Sequence, residues 1–563
     1  MRSLLGALLL ASVAAAQSFD ELLPDTTVLY LSLEDAARTK ERFEGSPLAA
    51  LWKDEAVQAF MEKPRAAWAA WMDETRKEHG ITPDDVFGLL SGQAAVGIAW
   101  KEGSDGYPIL LGDIGENEEK LRAIVAQVEK LLLEERGFKR DEEEFRGVKI
   151  VSYRKEGEGD GEGPGGSWLL DGRMLVVAED AETLKDVLVR KDRRDEGTLA
   201  AREIYTRTRG RVGGRSADIF FYFDVPNLMK ALAQGDDAPD EKDRMVMAAL
   251  GIDSIEALAF EGSLSAEAIA WRGFLGVKGA KTGLLKLVDG KNSTLAPAAY
   301  TPPDAMSASA LTLDVQALWE EVRRIADRME EGTTKNIDAW FDTVKLQLGV
   351  DIPGDLIGTL GHELTYHVKL QENPVPMPFP IPPFTLGIQL KDKERFEAAL
   401  DKLFAALAPG LATQEYLGVK MRTVATPLGT PAIAVLPDRV LVSMEPDDLK
   451  EAIARYGKEA KGLVDREDVA AALAALPPQR FAVSAEDLPK AFKEGSIALQ
   501  LALATASGVR VVQGGRPVRL GEVIDPSKFP SEEALRKYLG VGTSCLINED
   551  DGLTILSFIH LKG

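Results

Sequence analysis

Apolar residues recur along this chain with two periods. Short runs such as Val28-Leu29-Tyr30-Leu31-Ser32-Leu33 and Phe384-Thr385-Leu386-Gly387-Ile388-Gln389-Leu390 have the length and flanking residues of strands. Between such runs, apolar positions fall three and four apart. Phe396, Leu400, Leu403, Phe404 and Leu407 mark residues 391–407 as an amphipathic helix. Residues 418–424, 432–436 and 440–442 then read as strands and 447–456 as a second helix. The order β-α-β-β-β-α predicts an α+β layer, with helices on one face of a largely antiparallel sheet. Residues 107–190 show the same order.

The echo extends further. Trp340, Phe341 and Gly349 stand at one constant offset, 269, from Trp71, Met72 and Gly80. Leu311 and Leu313 match Leu31 and Leu33. Phe145-Arg146-Gly147-Val148-Lys149 corresponds to Tyr416-Leu417-Gly418-Val419-Lys420, and Phe221 with Asn227-Leu228 parallels Phe481 with Asp487-Leu488. Residues 257–277 and 543–561 read as closing hairpins. A stretch rich in Gly, Asn, Ser and Pro at 289–303 marks a linker. The expectation is two tandem pseudo-repeated α+β halves, 17–291 and 292–563, after a signal peptide at 1–16.

That address rests on Arg2, the apolar run 4–13 and the small-x-small pattern Ala14-Ala15-Ala16. Cleavage after Ala16 would deliver the chain to the periplasm or beyond. No later run approaches the length of a membrane span. The formal charge of −23 argues against nucleic acid and anionic membranes as partners. Cys545 is the only cysteine, so no internal disulfide can form.

Candidate chemistry is sparse. His362 and His367 are five apart, the wrong spacing for a helical zinc motif, and on a strand they would face opposite ways. Ser152-Tyr153-Arg154-Lys155 and Lys281-Thr282-Gly283 match two short pieces of the penicillin-recognising serine enzymes, without the intermediate Ser-Asp-Asn element. The glycines of 157–166 stand among Glu158, Asp160 and Glu162, which would repel a dinucleotide's phosphates. Asn548-Glu549-Asp550-Asp551-Gly552 offers hard oxygens for calcium but also reads as a plain hairpin turn. These patterns point to no cofactor and no bound metal.

Two segments stand out as contact surfaces. The basic run 190–215 makes Arg193, Arg194, Arg207, Arg209 and Arg211 candidates for an anionic partner, or for the chain's own acidic stretch 141–162. Pro374, Pro376, Pro378, Pro380 and Pro382 alternate with Val375, Met377, Phe379 and Ile381, an arm that cannot sit inside a sheet and either displays its apolar groups to a partner or folds back over the protein's own surface.

The opening Leu23-Pro24-Asp25-Thr26-Thr27-Val28-Leu29-Tyr30, the doubled halves and the ending Phe529-Pro530-Ser531-Glu532-Glu533-Ala534-Leu535 resemble an exported bacterial family classed only as domains of unknown function. The resemblance implies fold and export, and brings no catalytic residues. Two functions follow as expectations. One is a non-catalytic exported protein that binds or scaffolds an unknown protein or envelope component. The alternative is a hydrolase of an envelope polymer acting through carboxylates.

Overall fold

The structure is a computed structural model that describes residues 17–101, 106–155, 166–193, 197–234, 239–330, 332–369, 383–406, 411–426, 429–458, 461–505, 510–513, 516–519 and 523–562. It is an α+β protein built on one large antiparallel sheet covered by helices. The first ten strands are β1 (Thr27–Leu33), β2 (Ala94–Ala99), β3 (Tyr107–Asp113), β4 (Phe138–Phe145), β5 (Val148–Lys155), β6 (Ser167–Asp171), β7 (Met174–Ala178), β8 (Ile219–Asp224), β9 (Ile255–Leu264) and β10 (Ala268–Val277). The next ten are β11 (Ser307–Thr312), β12 (Leu360–Val368), β13 (Phe384–Leu390), β14 (Leu411–Tyr416), β15 (Val419–Val424), β16 (Ala432–Val435), β17 (Arg439–Ser443), β18 (Ala482–Asp487), β19 (Leu539–Glu549) and β20 (Gly552–Leu561).

Pairing runs β4-β5-β6-β7-β3-β2-β1-β8-β9-β10 through the first set. Through the second it runs β14-β15-β16-β17-β13-β12-β11-β18-β19-β20. β10 and β20 join the two sets along nine residue pairs, from Ala268 opposite His560 to Gly276 opposite Gly552. Local chemistry fixes the turns. Arg146 and Gly147 both have positive φ (54° and 78°), as do Leu417 and Gly418 (50° and 76°). Two consecutive positive φ values give the tight turn whose twist matches paired strands, and glycine supplies the second at no steric cost.

Helices lie on both faces of the sheet, where the sequence pattern predicted one. The helices that position the site are α1 (Ala36–Glu44), α2 (Pro47–Lys53), α3 (Glu62–His79), α4 (Glu118–Glu129), α5 (Ala181–Asp192), α6 (Glu203–Val212), α7 (Val225–Gln234), α8 (Val315–Met329), α9 (Thr333–Leu348), α10 (Lys393–Ala406), α11 (Pro446–Arg455), α12 (Glu467–Ala474), α13 (Leu488–Thr505) and α14 (Glu532–Arg536). Leu184, Val187 and Leu188 of α5 pack with Leu169 and Val176. Leu121 of α4 packs with Trp168, Leu170 and Leu175. Neighbouring strand residues point to opposite sides, so α4 and α5 sandwich the sheet.

The tightly covered face holds the main core. Tyr30, Phe220, Tyr222, Phe274, Ile109 and Ile150 are fully buried there in one cluster with Tyr205 of α6. Fully burying each large apolar side chain contributes roughly 1.5–3 kcal/mol. The second set of strands has its own clusters, around Met421, Leu441 and Leu449 and around Ala308, Val469 and Ala485.

Candidate ligand-binding face of the sheet

The opposite face is apolar yet open. Leu31, Ile98, Leu110, Ile219, Trp271 and Tyr366 all lie in the middle strands and are 38–43% exposed. The register assembles them into rows. Leu110, Val96, Leu31, Phe221 and Phe260 stand side by side on β3, β2, β1, β8 and β9. In the next row Leu33, Ile219, Gly262 and Trp271 follow one another across β1, β8, β9 and β10. A solvated face of an antiparallel sheet ordinarily alternates polar-out, so an apolar field of this breadth, uncovered among the described residues, is the candidate interaction surface.

Two glycines shape its floor. A Cβ on Gly262 would lie 2.7 Å from the Trp271 ring, and one on Gly273 would lie 2.5 Å from the Phe260 ring. Each ring therefore lies flat over a neighbouring strand. The Phe221 and Phe260 rings follow at 6.5 Å between centroids. Packing closes the field on three sides. α4 covers it at the β6–β7 edge through Leu121. α10 covers it at the other edge, where Phe396 and Leu400 meet Ile388, Val440 and Val442. Leu48 and Leu51 of α2 and Leu535 of α14 close one end against Leu264, Ile269 and Ile559.

Over the second half one row of the same face is polar. Ser557, Ser544, Ser484 and Ser309 are adjacent on β20, β19, β18 and β11, and the Ser484 and Ser544 hydroxyls are 2.7 Å apart. Glu486, two residues along β18, faces the same way between Ser307 and Gly542. Burial pushes its carboxyl above the usual range.

The sequence-predicted residues lie elsewhere. Val375, Met377, Phe379 and Ile381 fall outside the described residues, as do Arg194, residues 1–16 and most of the acidic glycine loop. Arg193 is exposed at the end of α5. Arg207, Arg209 and Arg211 lie on α6 and are engaged by the chain's own carboxylates, none of them, among the described residues, from the stretch 141–162. Arg207 pairs with Glu256, and Arg211 with Glu549 and Asp551. Arg209 is buried, donating to Glu34 at 2.6 Å and to the Tyr205 hydroxyl at 2.6 Å, with its guanidinium over the Phe220 ring. Tyr205 in turn donates to buried Asp20 at 2.8 Å, and burial beside Asp20 pushes its hydroxyl well up. An arginine already satisfied inside the protein is not available to an outside anion.

His362 is exposed on β12 and His367 is buried on its other face. Burial, helped by Lys369, lowers the His367 imidazole to about 4. The Ser152 hydroxyl lies within the core, accepting from Ser167 at 2.8 Å. Lys281 is buried and donates to Asp289, Asn548 and the Glu549 carbonyl. The turn offered to calcium is thus occupied by the chain's own cations, Lys281 and Arg211. Among the described residues, no group of three or more His, Cys, Asp and Glu is placed to hold a metal ion.

The apolar face was missed in the sequence, although a signal existed. Ile219-Phe220-Phe221-Tyr222-Phe223 and Val28 to Leu33 are apolar at alternate positions of both parities, and a strand with one wet face should not be.

Residues 265–504 match the family described as a protein of unknown function, DUF3352. The match covers less than half of the chain, from the β9–β10 turn into α13, and so takes in β10 of the first set of strands and β11 to β18 of the second. No curated protein matches. Two solved structures, titled crystal forms I and III of TP0453, are 10% identical and cover 50% of this chain and 90% and 91% of theirs. Their TM-score is 0.25, at which the likeness carries no argument. Among the described residues no helix is long and apolar enough to cross a membrane.

Proposed function

We propose that this is an exported, non-catalytic binding protein that holds an elongated hydrocarbon chain along the apolar face of its sheet. The observation that carries the reading is the registered row Leu110, Val96, Leu31, Phe221 and Phe260, apolar across five strands yet accessible. The flanking helices favour a slender occupant, because a flat protein surface would meet α4 and α10 before it reached the floor. Export rests on the N-terminal signal pattern of the sequence.

The test is a titration of residues 17–563 with dodecanol, followed by tryptophan fluorescence and calorimetry. Saturable binding near one to one is expected. Leu31→Glu with Phe260→Glu should abolish it, since each places a charge where the hydrocarbon lies. Absence of binding, or binding indifferent to both charges, would sink the reading.

A further inference from the structure

Resting on that reading, the polar end of the same face says what the hydrocarbon carries. The row continues from Trp271 of β10 onto Ser557, Ser544, Ser484 and Ser309, then reaches Tyr366 of β12. Four hydroxyls on adjacent strands are an unusual floor beside an apolar field, and each hydroxyl can both donate and accept. Glu486 lies on the same strand and face as Ser484, roughly 7 Å away at the strand repeat. Its surroundings are apolar or neutral. Ser307 and Gly542 flank it, Val368 and Ile559 lie one strand beyond, and Leu488 sits over Gly542. Among the described residues no lysine or arginine pairs with Glu486, and burial alone accounts for its upward shift.

Three fully buried aspartates of this chain, by contrast, have cations. Asp224 is held by Arg202, Asp487 by Arg466 and Arg536, and Asp218 by Arg42. A carboxylate left without one on a ligand-facing surface is a charge awaiting a partner, because burying an unpaired charge is costly. We propose that the serine row with Glu486 is a head-group subsite that takes an ammonium group, so that the ligand is a cationic or zwitterionic amphiphile. Its head lies on β18 of the second half, and its tail crosses β19 and β20 toward Trp271 of β10, about 15 Å away at three inter-strand spacings. A chain of net charge −23 attracts such a ligand over a long range.

The experiment compares dodecylamine, dodecanol and dodecanoate, each below micelle formation, on residues 17–563. Dodecylamine should bind at least ten-fold tighter than dodecanol. Glu486→Gln should bring dodecylamine down to dodecanol's affinity and leave dodecanol unchanged, and Glu486→Lys should turn the preference toward dodecanoate. Equal dodecylamine affinity for the native protein and Glu486→Gln would overturn the subsite while the hydrocarbon site stood. Failure of dodecanol itself to bind would overturn the underlying reading, and this inference with it. Thermal unfolding controls for folding. Should Glu486→Gln not fold, the Ser484→Ala, Ser544→Ala pair reads the same question. A several-fold loss for dodecylamine alone supports the subsite, and no loss overturns it.

Discussion

At the scale of single residues, burial separates arginines that look alike in the sequence. Removing Arg209 leaves Glu34 and Asp20 in the interior without a guanidinium that reaches both. Arg209→Ala should therefore cost about 3–5 kcal/mol. Arg207→Ala breaks a partly exposed pair with Glu256 and should cost no more than about 1 kcal/mol. Guanidinium unfolding of both variants checks this, and equal losses would refute the distinction. His367 makes the pH prediction. Its imidazole sits at about 4 in the fold, with Lys369, Asp304 and Arg455 as its charged neighbours, against about 6.5 unfolded. The unfolded state takes up the proton first, so stability falls as pH drops from about 6.5 to about 4, by about 3 kcal/mol in all. His367→Leu should lack that slope, read as melting temperature against pH. A parallel pair of curves would remove His367 as its source. The positive run was legible in the sequence, but its carboxylate partners come from up to 340 residues away, and local pattern says nothing of them.

At the scale of elements, most strands were legible because period-2 runs and turn residues agree locally. Which face a strand hides was harder. Polar-out alternation fails in β1 and β8, whose outward residues belong to the candidate site, so the rule breaks where function would require it. Correspondences between the halves also needed the register. Asp224 and Asp487 each end a strand, are fully buried, and accept from an arginine ahead of a helix, Arg202 and Arg466. In a repeat of the two halves, Asp224 rather than Asn227 would be the counterpart of Asp487. Leu31 faces Phe221 as Ser309 faces Ser484, which sets Leu31 against Ser309 rather than Leu311. We propose that the halves are two copies of one unit, aligned on these aspartates. The seam supplies a sharper test of packing. A Cβ on Gly552 would lie 2.2 Å from the Leu275 carbonyl oxygen, while Gly210 in α6 has nothing within 4 Å. Backbone cannot yield as a side chain can, so Gly552→Ala should destabilise by about 1–3 kcal/mol. Gly210→Ala should stabilise by roughly 0.5–1 kcal/mol. Opposite signs in chemical denaturation are expected, and a neutral Gly552→Ala would show that β10 and β20 are not tightly paired.

At the scale of the whole molecule, the two halves are held as one body. Arg272 faces Leu556 at the centre of the nine-pair seam, and equal spans of β10 and β20 extend to either side. The joint therefore has the self-complementary form of a two-fold dimer contact, here within one chain. Other ties cross it. Lys281 reaches Asn548, Lys286 pairs with Glu321, Lys528 pairs with Glu62, and Leu48, Leu51 and Ile269 pack with Leu535 and Ile559. Backbone pairing, apolar packing and ion pairs of this number should outlast the covalent link. A protease site placed between Lys291 and Asn292, where Lys291 is exposed, tests that. The cut protein should elute as a single species with its native circular dichroism, and its fragments should part only in denaturant. Raising salt should loosen them little, because the backbone hydrogen bonds of the seam and the apolar Leu535 cluster are not screened by ions. Fragments that separated at neutral pH without denaturant would mean that the chain connection, not the β10–β20 seam, holds the sheet together. The proposed head-group subsite and the apolar row, which lie on different halves, would then part on cutting.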